Sequence, residues 1–265
     1  MNKILKMILK EKQIEVINLK LNSLYIAIYE DIKVGLYTAC KSGIFASSLI
    51  ASKKCVIAEI KRKSPTKPIV ADIPNSSILA EKYIAGGAAA ISVLTDQKFF
   101  GGQLKDLTGI KKDLRDKCCP LLRKDFIIDP MQIVEAVAAD ADCILLIVAA
   151  LGKDKTKSLL DFAKKVSIDA LVEIHSDAEL DIAIEAGAEI IGINNRNLDT
   201  FEIDINISKS IIKRIPKEII KVSESGIRSS ETARELFDCG FNAVLVGELL
   251  SSSNDPGKLI REMIT

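Results

Sequence analysis

The feature that most constrains this chain is an alternation that begins at Cys55 and runs almost to the last residue. Short apolar, largely β-branched runs recur at 56–60, 90–94, 121–124, 144–148, 170–173, 190–193, 220–222 and 243–246. Between and after them lie segments with helical spacing of their apolar positions, at 76–85, 103–114, 130–138, 153–164, 177–186, 208–215, 229–238 and 256–264. The runs have the look of buried strands. Helix signals fall where this reading needs them: Asp129 and Pro130 supply a cap and a first-turn proline, and Gly86-Gly87, Gly187 and Gly240 supply stops. Strand-helix units repeating every ~20 to 35 residues, with no low-complexity linker, predict an α/β fold in which a parallel sheet closes into a (β/α)8 barrel. A doubly wound open sheet usually has fewer units and carries a glycine fingerprint after its first strand, which this chain lacks. The 265 residues suit one such barrel as a single domain, 1–265. Residues 1–54 precede the repeat, and the helical spacing of Ile4, Leu5, Ile8 and Leu9, continued by an apolar pattern at 44–51, predicts an N-terminal helical extension.

Charge and cysteine content remove several classes of function. With 37 Lys and Arg against 36 Asp and Glu there is no global field to hold nucleic acid, and no block of like charge forms a tail. The expected partners are small molecules or other subunits, with no nucleic acid and no membrane. Cys40, Cys55, Cys118, Cys119, Cys143 and Cys239 form no CxxC pair and mostly sit in apolar runs, which favours a reducing compartment. His175 is the only histidine, so a histidine-rich metal centre is excluded and no metal or cofactor is expected. Lys3, Lys6, Lys10, Glu11 and Lys12 interrupt the first apolar residues, and no later run reaches membrane-spanning length. A cytoplasmic location is the expectation.

A barrel of this kind carries its chemistry at the C-terminal ends of its strands, and polar residues collect there. The first strand ends in Glu59 and Lys61, two apart and therefore on one face, where a carboxylate and an ammonium can influence each other's protonation. The third ends in Arg123-Lys124-Asp125, the fifth in Glu173, the sixth in Asn194-Asn195-Arg196 and the seventh in Ser223-Glu224-Ser225-Gly226. Ser225-Gly226 and, after the eighth strand, Gly247 can present backbone N–H groups to an anion, in the usual phosphate position of the fold.

Six motifs, in one register from about Ala51 onward, resemble the indole-3-glycerol-phosphate synthase family of tryptophan biosynthesis. They are AEIKRKSP at 58–65, SVLTDQKFFGG at 92–102, LRKDFIIDP at 122–130, LVEIH at 171–175, IGINNRNL at 191–198 and SESGI at 223–227. The resemblance implies a TIM barrel and a carboxy-lyase that converts 1-(2-carboxyphenylamino)-1-deoxyribulose 5-phosphate to indole-3-glycerol phosphate with loss of carbon dioxide and water. It implies a sugar-phosphate substrate, no cofactor, and room for association with other enzymes of the pathway. Carried over position by position, it makes Lys124 the proton donor to the developing alkoxide and Glu173 and Glu59 the carboxylates of the elimination. Lys61 either holds the substrate carboxylate or acts as a second acid, a division the sequence leaves open. Asn194, Arg196 and Glu224 match substrate contacts, and Ser64, Ser225, Gly226 and Gly247 match the phosphate grip.

Further expectations follow for individual residues. A lysine donates well near neutral pH when burial or neighbouring cations lower its pKa, and Arg123 and Lys61 are the candidates for that effect on Lys124. Phe126 and the Phe99-Phe100 pair are candidates to pack on the substrate's ring, though Phe99 and Phe100 are better read as loop packing. His175 is expected to be a helix cap or a solvent-exposed residue without a role. Where the family loop commonly has Ser-Pro-Ser with a lysine and a glycine, this chain has Ser64-Pro65-Thr66-Lys67-Pro68, a stiffer loop. Glu248 stands where a small hydroxyl residue is common, and it is expected to turn away from a bound phosphate. Two other readings compete: a class I aldolase with Lys61 or Lys124 as Schiff-base nucleophile, and a catalytically silent phosphate-binding barrel.

Overall fold

In the computed structural model, residues 3–37, 43–117, 119–197 and 200–265 are described; Cys40, Cys118 and Leu198 lie outside them. Eight parallel strands close in chain order: β1 (Cys55–Ile60), β2 (Ala90–Leu94), β3 (Leu121–Lys124), β4 (Cys143–Ile147), β5 (Asp169–Ile174), β6 (Ile190–Asn194), β7 (Ile220–Glu224) and β8 (Ala243–Val246). Closure is made by β1 on β8, with Cys55 opposite Ala243 and Ala58 opposite Val246. The expected barrel is therefore the observed one.

Side-chain parity builds two apolar layers from these strands. Val56, Ala58, Ile60, Ile91, Val93, Ile144, Leu146, Val172, Ile174, Ile191, Ile193, Val244 and Val246 belong to the outer core between sheet and helices. Cys55, Ile57, Ala90, Leu122, Cys143, Leu145, Leu171, Ile190, Val222, Ala243 and Leu245 fill the barrel itself. One step further along the inward rows the residue type changes, to Glu59, Lys124, Glu173, Asn194 and Glu224. The same parity turns Arg123 outward. Its guanidinium donates to Gln132 O at 2.8 Å and to Glu135 Oε2 at 2.6 Å, so it does not serve as the neighbouring cation expected to lower the pKa of Lys124.

The N-terminal extension wraps the barrel from top to bottom. Helix α1 (Lys3–Leu19) lies at the catalytic end, where Lys12, only 1% exposed, reaches Asp96 after β2 at 2.9 Å and Asp125 after β3 at 2.8 Å. Helix α2 (Ser23–Lys33) packs along the helix Pro130–Ala138. Helix α3 (Ile44–Ile50) inserts Phe45 and Leu49, both fully buried, into the barrel-filling core and contacts β2, β5 and β7. Asp169 at the start of β5 accepts from Ala46 N at 2.9 Å and fixes that plug.

Local differences from the sequence reading have local causes. The segment after β4 turns helical at once, Val148–Lys165, so Val148 is not strand; Gly152 (φ 68°, ψ −178°) breaks the first turn from the regular helix that the sequence places at 153. Single-turn helices Gln97–Phe100 and Glu248–Ser251 carry too few residues to show a period. The helix expected at 208–215 begins at Asn206 and tightens to 3₁₀ geometry over Ile212–Arg214, just before Pro216.

Candidate active site

All eleven residues selected from the sequence line one cavity of about 420 Å³ at the C-terminal end of the barrel: Glu59, Lys61, Ser64, Lys124, Glu173, Asn194, Arg196, Glu224, Ser225, Gly226 and Gly247. At its floor Lys124 Nζ stands 3.2 Å from Glu173 Oε2, to which it donates, and 3.2 Å from Glu224 Oε2. Across the floor Lys61 Nζ is 3.5 Å from Glu59 Oε1, and Ser92 Oγ donates to Glu59 Oε2 at 3.3 Å. Two glycines make room for these carboxylates. A Cβ on Gly192 would overlap the Glu224 carboxylate, and one on Gly247 would overlap that of Glu59. Gly192→Ala should therefore destabilise the fold by roughly 1–3 kcal/mol while pushing Glu224 off its station, for a kcat loss on the order of 10². An alanine variant with near wild-type kcat would show that this station does not matter.

Three carboxylates share the floor with two lysines, and the surplus acid is Glu224. Neither of its buried oxygens has a directed hydrogen-bond partner. Burial raises its pKa, Lys124 offsets part of that and Glu173 adds to it, leaving Glu224 at about 7. Glu173 moves the other way: burial alone would raise it, but Lys124, His175 and Asn194 bring it below its ordinary value. Lys124 corrects the expectation of a depressed lysine. Burial would lower it, yet Glu224, Glu173 and Glu59 more than reverse that and hold it charged.

The Glu224 shift has a signed consequence for stability. The unfolded chain releases this proton near the ordinary 4.5 and the fold keeps it to about 7, so the contribution is intact below 4.5 and is lost as pH rises to about 7. Glu224→Gln, which mimics the protonated acid, should match wild type in unfolding free energy near pH 4 and exceed it near pH 8, by roughly 1–3 kcal/mol. Parallel stability curves would refute the shift.

The two ends of the cavity differ in character. Ile4, Leu5 and Ile8 of α1, with Phe100 and Phe126, form an apolar wall, and the two rings lie 5.9 Å apart. Phe100 thus faces the cavity, against the loop-packing expectation, while Phe99 does not line it. The other end holds Ser64, Ser225, Gly226 and Gly247 with two cations, Arg196 and Arg228. Ser225 (φ 64°) and Gly226 (φ 85°) are both left-handed. Asn195, fully buried, secures this turn by donating to Glu224 O at 3.0 Å and Ser225 O at 3.1 Å while accepting from Ser208 N at 3.0 Å. Glu248 lines the mouth, and its carboxylate pairs with Lys67 of the β1 loop. Its charge is neutralised there, which answers the expected repulsion in a way the sequence reading did not foresee.

The sequence reading missed Ile4, Leu5, Ile8, Arg228 and Asn195. Arg228 had a signal, three residues beyond Ser225 in the same strand-end loop; the α1 residues had none beyond a helical period. His175 was misjudged. Its side chain is 12% exposed, and its ring lies between Glu173 and Glu179.

A family model described as indole-3-glycerol phosphate synthase matches residues 5–263. A protein of Rhodococcus opacus (strain B4) with that name is 46% identical over 219 residues, 83% of this chain and 80% of that one. A Saccharopolyspora erythraea protein of the same name is 46% identical over 210 residues, 79% of this chain and 77% of its own. Among solved structures, 3-hexulose-6-phosphate synthase from Salmonella typhimurium superposes with a TM-score of 0.60 at 15% identity, covering 79% of this chain and 96% of that one. Thiamine phosphate pyrophosphorylase from Pyrococcus furiosus gives a TM-score of 0.60 at 16% identity, covering 80% and 94%. At these identities the superpositions establish the barrel alone.

Proposed function

From the premise that the chain belongs to the indole-3-glycerol phosphate synthase family, we propose how its cavity divides the work of that reaction. The enzyme is a carboxy-lyase that closes the indole ring of its sugar-phosphate substrate with loss of carbon dioxide and water. The substrate's aromatic ring lies against Ile4, Leu5, Ile8, Phe100 and Phe126, and its phosphate in the grip of Ser64, Ser225, Gly226 and Gly247, aided by Arg196 and Arg228. Asn194 and Arg196 orient the sugar between them.

The ring carbon that bears the carboxylate attacks the sugar carbonyl, whose oxygen becomes an alkoxide, and Lys124 protonates it. An alkoxide is a stronger base than an amine, so the transfer stays favourable even from a lysine held charged. Glu224, which keeps its proton to about pH 7 and lies 3.2 Å from Lys124, restores the ammonium. Carbon dioxide then leaves and the ring regains aromaticity. In the elimination Glu173 removes a proton from the carbon next to nitrogen, while the Glu59–Lys61 pair supplies the proton that departs with the hydroxyl as water. Lys61 also neutralises the substrate carboxylate until it is lost.

The observation that carries this assignment is the placement of Lys124 between Glu173 and Glu224. It also argues against the aldolase reading, because a Schiff-base lysine attacks as the neutral amine and three carboxylates oppose its formation here. The test is to add 1-(2-carboxyphenylamino)-1-deoxyribulose 5-phosphate and follow indole fluorescence. Folded protein that gives no signal, or that borohydride inactivates in the presence of substrate, overturns the proposal.

Association with neighbouring enzymes of the pathway is part of the same reading, supported by the apolar side chains of Ile14, Ile17, Leu21 and Leu24, all exposed on the N-terminal helices and their junction. Sedimentation of the mixed enzymes reads it, and unshifted species would overturn it. No described helix is long and apolar enough to cross a membrane. Cys55, Cys143 and Cys239 are free thiols, which supports a reducing, cytoplasmic setting.

A further inference from the structure

We propose that His175 is a positioning residue for the reaction, an imidazolium clamped by Glu179 that fixes both the orientation and the negative charge of Glu173. The inference rests on the reading of Glu173 as the base of the elimination. His175 follows Glu173 by two residues at the end of β5, so it leaves the chain on the same side. Its Nε2 lies 3.4 Å from Glu173 Oε1, at ion-pair distance, and has no directed hydrogen-bond partner. Its Nδ1 lies 3.3 Å from Glu179 Oε2, and the same oxygen accepts from the His175 backbone N–H at 2.7 Å. Glu179 sits in the first turn of the helix Asp177–Ala186, whose N-cap, Ser176, accepts from Glu179 N–H through its hydroxyl oxygen at 3.3 Å. The ring is thus held from behind and presented to Glu173 from the front.

A neutral imidazole has one N–H and one lone pair, so it would turn a lone pair on one of these two carboxylates. The imidazolium offers a proton to each. Every charged group that faces the ring favours it: Glu173 from its own strand, Glu179 from the following helix and Glu224 from β7, with Lys124 of β3 lying beyond Glu173. Burial disfavours the charged ring, yet these carboxylates outweigh it and raise its pKa above the ordinary value. With Oε1 occupied by His175, Glu173 keeps Oε2 for Lys124 and for the substrate proton. The arrangement has the logic of a base oriented by a third group, with the histidine here as the orienting member.

The chain has one histidine, so the ring can be watched without assignment ambiguity. In ¹⁵N-labelled enzyme its nitrogens should show the imidazolium pattern through pH 7, and the midpoint should fall by about one unit or more in Glu179→Gln. A ring already neutral at pH 6, or a midpoint unmoved by Glu179→Gln, overturns the inference. In kinetics His175→Gln should lower kcat about tenfold, leave KM within about twofold and move the acidic limb of the kcat profile up by about one pH unit, because Glu173 loses a cation. A loss of kcat with an unmoved acidic limb means a merely structural role and also overturns it. Glu173→Gln separates the two readings: if it retains kcat, the assignment of the base fails, whereas if it is inactive and the His175→Gln limb stays in place, only the role of His175 fails.

Discussion

Lys124→Ala should yield a folded protein whose kcat is lower by about 10³-fold or more, with KM changed by less than about tenfold. The size follows from what the ammonium does at the floor of the cavity. It is the proposed donor to the alkoxide, and it is also the cation that Glu173 and Glu224 share at 3.2 Å each. Without it the pKa of each buried carboxylate rises, so the proposed base is weakened as the proposed acid is lost. Lys124→Arg should not restore the rate, because a guanidinium keeps its charge but does not release a proton. Steady-state indole fluorescence measures both constants. A kcat within tenfold of wild type would remove Lys124 from the chemistry.

Lys12→Met should destabilise the protein by about 3–5 kcal/mol, the cost of leaving buried charges without their partner. Lys12 is held charged, since burial would lower its pKa but Asp125 and Asp96 raise it above the ordinary value. Asp125 in turn is brought down to about 2, with burial opposed by Lys12 and Arg123. Removing the cation leaves Asp96 without its partner and Asp125 with Arg123 alone, and loosens the helix that carries Ile4, Leu5 and Ile8 into the cavity. For a chain of this length the melting temperature should drop by roughly 6–15 °C. KM should rise with it, because the apolar wall is no longer held. A drop below about 2 °C would mean that the cluster is solvated and that α1 is anchored by its apolar face alone.

Much of the catalytic floor was legible because a barrel converts order along the chain into position. Strand parity and the C-terminal ends of strands bring Glu59, Lys124, Glu173, Asn194 and Glu224 to one place, although they are scattered over more than half the chain. The same parity held the information that Arg123 faces outward, one residue before an inward Lys124. Protonation was not legible, because it depends on which charges end up within a few ångströms. Lys124 gained three carboxylates where cations were expected around it. Lys12 looked like one of several cations on an amphipathic helix, and nothing local indicates that its partners lie at Asp96 and Asp125. His175 read as a helix-start residue because its clamp, Glu179, serves it only once the first turn of the next helix has formed.

The wrap of the first fifty residues around the barrel has a consequence for synthesis. Helix α1 needs Asp125, α3 needs β7, and β1 needs β8, so early segments have native neighbours that are made much later. Contacts this distant in sequence form slowly, and until they form the leading helix keeps an apolar face with nothing to cover it. A ribosome stalled before β8 therefore holds a chain with neither a closed sheet nor a finished cavity. Partial products are exposed to chaperones and proteases, and activity arrives only once β8 has closed the sheet.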